Sequence, residues 1–225
     1  MIDPLENFDF ASIYQQYNNF TRDYRNFNNE LERMGLPSEI TDLKLYYHLK
    51  EKFGADRINI NIYDYIAMLF WKLNFIGLNK IWRVLLENEE KRNIEAKKLK
   101  NLFKLFSNIL DRSIDKVEQI LQEQNYQLYG MASPTAWPTR SVFLHFLYPN
   151  IIPIFDQMVL RAIEPNYQKN YSTRKDKFLE YIEFVWKLTE RYVKQIKEIK
   201  KLKDTDIRII EMALWIKGHN VNHNY

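Results

Sequence analysis

A chain of 225 residues with 46% apolar and 28% charged side chains has the material for a sizeable core, which excludes wholesale disorder. No apolar run is long enough to span a bilayer, and Met1 to Glu6 has neither a basic stretch nor a cleavage signal, so a cytoplasmic, non-membrane protein is expected. The lack of cysteine excludes disulfides, thiolate nucleophiles and Cys-ligated metal centres, and the net charge of +4 sets no strong bias of its own.

Five glycines and seven prolines punctuate the chain and β-type alternation is scarce, so about nine helices with short connections are expected. The first runs from Ala11 to Met34 and stops at Gly35. Pro37 and Ser38 open a second, ending near Gly54, and Arg57 to Ile62 is a connector. Asn61, with Asp64 three residues on, caps a helix over Tyr65 to Ile76 that is apolar all round apart from Lys72 and Asn74. A helix without a wet face belongs at the centre. Gly77 breaks it, and Leu78 to Glu87 resumes.

Arg92 to Leu110 is amphipathic, with Lys97, Lys98, Lys100 and Lys104 around its outer side, and Ser113 caps a helix ending near Gln124. Asn125 to Pro138 is irregular. Helices follow at Thr139 to Tyr148 and Gln157 to Glu164, joined through Pro149 and Pro153, and Pro165 to Thr173 is a polar loop. A long helix spans Arg174 to Leu202, and a last one starts at Asp204 or Asp206 and ends at Gly218. The expected fold is all-α: one multi-helix domain over 1–218, or the same helices in two lobes, with a cleft near 125–160 and a frayed tail at 219–225.

Charge is unevenly spread. Met1 to Arg33 carries six acids against three bases, Lys91 to Lys104 six bases against one acid, and Lys187 to Lys203 seven bases against two acids. Such asymmetry suits a polyanion partner or, equally, the solvated faces of helices.

Asp156 is the acid that stands out. It follows the apolar Pro153, Ile154 and Phe155 and precedes a helix, so its carboxylate can accept hydrogen bonds from first-turn amides, as any N-cap aspartate does. The run Arg140 to Tyr148, Pro149, Pro153, Asp156, Val159 and Arg161 resembles a segment of the helix-hairpin-helix DNA glycosylases of the HhH-GPD superfamily. There a helix leads through a Pro-containing connector to an Asp, followed by a helix with a Val and an Arg. Leu144 to Pro149 and Ala213 to Gly218 resemble segments of uncharacterised relatives of that superfamily.

The resemblance implies a fold like that of the HhH-GPD glycosylases, a DNA partner, no cofactor, and a catalytic Asp156 that stabilises the sugar cation formed as a base departs. Two departures qualify it. The family's Gly-rich turn is replaced by Ser133 to Thr139, with two prolines and no glycine. No lysine lies between Lys116 and Lys169, so a Schiff-base nucleophile is missing there and a monofunctional glycosylase is implied. The alternative is a non-catalytic DNA-binding or assembly protein on the same scaffold.

Around Asp156, the expected base pocket is Tyr126, Tyr129, Trp137 and His145, with core packing the competing reading for each and the one that the apolar run around His145 favours. Arg140, Arg161 and the lysines at 97, 98, 100 and 104 are the expected nucleic-acid contacts. His219 and His223 stand four apart, but Gly218 and the Asn-rich tail speak against a helix there, and no metal site is expected.

Overall fold

The computed structural model describes residues 3–20, 24–55, 59–73, 81–106, 112–164, 173–201 and 203–221. Among them are twelve α-helices and no strand. The chain is all-α. No helix of the described residues is long and apolar enough to cross a membrane.

The N-terminal region is more broken than its periodicity suggests. Instead of one helix from Ala11 to Met34, α1 (Ile13–Asn19) ends at Phe20, a 3-10 turn occupies Arg25–Phe27, and α2 (Asn28–Arg33) follows. Asn18 and Asn19, side chains that compete with the backbone for hydrogen bonds, sit where the first helix ends. Both Tyr17 and Tyr24 then donate to the carboxylate of Asp42, at 2.8 and 2.7 Å. Gly35 stops α2 as expected: its φ is +72°, its N–H bonds to Glu32, and Leu36 N–H reaches back to the Leu31 carbonyl. That is a Schellman stop, and the left-handed residue in it is where a Cβ costs most.

α3 (Asp42–Ala55) begins later than Pro37 because Thr41, whose hydroxyl accepts from Lys44 N–H at 3.3 Å, supplies the cap. α4 (Ile62–Leu73) starts on the expected capping box: Asn61 Oδ1 accepts from Tyr63 and Asp64 N–H, and Asp64 Oδ2 accepts from Asn61 N–H. Tyr65 to Trp71 are all buried, so α4 is central, as its lack of a wet face implied. α5 (Ile81–Glu87) and α6 (Glu89–Leu105) follow, the second capped by Asn88. α7 is Ile114–Ile120, and its Ser113 makes no side-chain capping bond.

α8 (Trp137–Leu147) carries Pro138 in its first turn and is buried along almost its whole length. An extended connector leads to α9 (Gln157–Ile163). The expected helix from Arg174 to Leu202 divides at Tyr192 into α10 (Lys175–Arg191) and α11 (Val193–Ile199). At that break Arg191 and Tyr192 both donate to Asp3, at 2.5 and 2.8 Å, so the N-terminal segment is pinned to it. α12 (Asp206–Val221) starts under Thr205, whose hydroxyl accepts from Arg208 N–H and donates to the Pro149 carbonyl. It runs past Gly218, so His219 is helical rather than part of a frayed tail. The expected break at Gly77, the expected polar loop from Pro165 to Thr173 in all but its last residue, and His223 lie outside the described residues.

α12 packs most extensively on α9 and also meets α1, α10 and α11, while α3, α4 and α8 pack on one another and α4 meets α5 and α6. Ile207, Ile209, Ile210, Met212, Ala213, Leu214 and Ile216 are all buried, so α12 is a second helix with no wet side. Its contact with α9 is close enough that a Cβ on Gly218 would overlap the Met158 carbonyl.

Candidate functional site around Asp156

The connector from Pro149 to Phe155 has no helical ladder, so its polar groups find partners elsewhere. His145 Nδ1 donates to the Ile152 carbonyl at 2.7 Å, Ser141 Oγ accepts from Phe155 N–H at 2.9 Å, and Glu211 Oε1 accepts from Ile154 N–H. These bonds deliver Asp156 to the start of α9. There Oδ1 accepts from Met158 and Val159 N–H, at 2.8 and 3.1 Å. Its Oδ2 lies 3.4 Å from the Lys72 ammonium of α4. The side chains are 19% and 10% exposed, so the pair is partly shielded and still reaches solvent.

A cavity opens beside this pair. Its walls include Trp71, Phe20 and Trp215, and its polar lining includes Asp42, Arg208 and Glu211. The enclosed space is about 40 Å³, which is room for water and not for a nucleobase. Phe20 and Trp215 touch edge to face with centroids 5.8 Å apart, and His219 packs against both rings.

Beneath the cavity lies a chain of buried polar contacts. Arg208 donates to Tyr17 Oη at 2.8 Å, and Tyr17 donates to Asp42. The Arg208 guanidinium also sits 4.3 Å from the Tyr46 ring centroid, a cation–π contact. Tyr46 Oη lies 2.8 Å from His145 Nε2. Because Nδ1 faces a carbonyl it must carry the hydrogen, which leaves Nε2 to accept from Tyr46. Burial, then the Arg208 charge, pushes His145 down to about 3, so the ring is neutral. Burial moves Glu211 the other way, up to about 7, against the opposing pull of Arg208 and the Ile154 N–H.

Several residues expected at the site are elsewhere. Arg140 is buried, donates to the Met131 and Ser133 carbonyls at 2.9 and 2.8 Å, and lies over the rings of Tyr126 and Trp137. It clamps the irregular segment before α8, where no phosphate can reach it. Tyr126 and Trp137 are core, Tyr126 donating to the Ile120 carbonyl. His145 is fully buried behind the connector. Tyr129 is half-buried on another side, its ring under Lys91 and its N–H on Glu95. None of these five lines the Asp156 cavity. The cavity is bounded by α1, α3, α4, α9, α12 and the connector before α9, so of the expected cleft near 125–160 it takes in Ile154, Asp156 and Val159 but not residues 125–137.

Arg161 lies one turn along α9, its Nη1 3.8 Å from Met158 Sδ. Lys97, Lys98, Lys100 and Lys104 are exposed on α6, with Lys98 paired to Glu95 at 2.7 Å. The residues that sequence reasoning missed are Lys72, Arg208 and Glu211. Each left a signal, a charge set between apolar neighbours in a largely buried helix.

Comparisons with family models, with curated proteins and with solved structures find no match to this chain.

Proposed function

We propose that the chain is a DNA-associated protein that hydrolyses the N-glycosidic bond of a damaged or mispaired base, with Asp156 as the charge that stabilises the departing sugar cation. The observation that carries this is the placement of Asp156: a carboxylate fixed by two amides, reaching solvent, in a cavity walled by aromatic rings. A fixed negative charge in a shielded site needs no reorganisation when positive charge develops next to it, which is where electrostatic catalysis gains most. An entering sugar would displace Lys72 from Oδ2, and the released ammonium is suited to a phosphate. The base has to enter past Phe20 and Trp215, whose rings offer faces for stacking once they part.

Asp156→Asn should abolish excision from a panel of lesion-bearing duplexes while DNA affinity in a gel shift stays within a few-fold. Equal excision by the variant removes Asp156 from the mechanism. Lys72 Nζ is engaged by Asp156 Oδ2 at 3.4 Å and so is not presented as a nucleophile. Borohydride should therefore trap no covalent adduct, and a trapped adduct at Lys72 would make the enzyme bifunctional.

A second reading, a DNA-binding or assembly protein without catalysis, is favoured by the cavity's volume of about 40 Å³, which admits only water. It would give salt-dependent DNA binding with no excision from any lesion.

A further inference from the structure

Glu211 is 2% exposed and lines the same cavity as Asp156. One oxygen is committed, Oε1 accepting from Ile154 N–H. The other, Oε2, has no hydrogen-bond partner; Arg208 Nη1 stands 3.6 Å away, beyond hydrogen-bond reach. The Arg208 charge offsets part of the desolvation of this oxygen without filling its acceptor position, and an acceptor left open on a cavity wall marks where a ligand atom or a water belongs.

We infer that Glu211 is the proton-transfer partner of Asp156, an inference that rests on the glycosidic reading above. The carboxylic acid of Glu211 gives its proton to a ring nitrogen of the leaving base as the C1′–N bond breaks, and the bonding pair stays on the base. Water then bonds to C1′ and returns a proton to the Glu211 carboxylate. One water is consumed, one base is released, and Glu211 ends as it began.

The surroundings suit a carboxyl that changes its protonation near neutrality. Burial raises its affinity for a proton and Asp156 adds to this, while Arg208 on its own helix opposes it. From the other helices, Tyr46 of α3, Tyr181 of α10 and the neutral His145 of α8 face it, and His145 Nδ1 is 3.4 Å from Oε1. Two carboxyls share one cavity, Asp156 bonded to two amides and facing the Lys72 ammonium and Glu211 buried with its affinity for a proton raised, and these different surroundings suit them to different tasks.

The test is the pH profile of excision by wild type and Glu211→Gln on a duplex that the wild type processes. Glutamine keeps an acceptor for Ile154 N–H but cannot give up a proton. The wild-type rate should fall on the alkaline side of about pH 7, and the variant should lose about 100-fold and that limb together. A variant that retains the limb, or a rate loss uniform across pH, overturns the role. If the variant does not fold, the wild-type profile alone decides: a flat rate from about pH 6 to 8 overturns it. No excision by the wild type on any lesion overturns the glycosidic reading and this role together, whereas excision with an unaltered profile in the variant overturns this role alone.

Discussion

Glu211 and His145 are neighbours that respond to burial with opposite signs. Glu211 holds its proton to about 7 in the folded chain against 4.5 unfolded. The stability it contributes is complete below the unfolded value and is lost as pH rises through the folded one. His145 falls from 6.5 unfolded to about 3 folded, so its contribution is present above 6.5 and is lost as pH falls toward 3. Between about 4.5 and 6.5 the two slopes oppose each other and largely cancel. Glu211→Gln should unmask the histidine: unfolding free energy, from urea titrations at stepped pH, should rise with pH across that window more steeply than in the wild type. One proton sets a ceiling of about 1.4 kcal/mol per pH unit on the difference. A variant with the wild-type slope would show that the carboxyl does not titrate there.

Among the helices, local chemistry was readable and long-range chemistry was not. The capping box of Asn61 and Asp64, the stop at Gly35 and the start of α9 at Asp156 involve atoms within a few residues, so the sequence displays both partners. The breaks at Phe20 and Tyr192 do not show in the apolar periodicity, which runs through them. At the second, the chain is tied to Asp3, nearly two hundred positions away. The aromatic residues expected as a base pocket lie away from the Asp156 cavity for a related reason: in an irregular stretch such residues look alike whether they line a groove or wrap the buried Arg140. α9 and α12 make the tightest interface, and Gly218 is its contact point. Gly218→Ala must push the helices apart against the Met158 backbone, with a loss of about 3 kcal/mol or more. For a chain of this size that lowers the melting temperature by roughly 6–12 °C in calorimetry. A shift under 2 °C would mean that the interface yields. Asn61→Ala, a cap with one end exposed, should cost only about 1 kcal/mol.

At the scale of the molecule, the distribution of charge bears on what it meets. If α6 lies on DNA, replacing Lys97, Lys100 and Lys104 with Gln should flatten the plot of log affinity against log salt by up to about 2.7. An unchanged slope would move the DNA face to another basic stretch, with Lys187 to Lys203 the next to test. The all-helical class followed from the scarcity of glycine, proline and alternation, whereas the cavity could not be foreseen because Lys72, Asp156 and Glu211 come from three separate helix regions. The placement of α12 also bears on synthesis. It leaves the ribosome after every helix that it holds together, so a nascent chain stalled before Asp206 carries α1, α9 and α10 with their greasy sides uncovered. Such stalled chains should be digested by protease as unfolded polypeptide and recruit holdases, and resistance should arrive in one step when the final turns of α12 emerge.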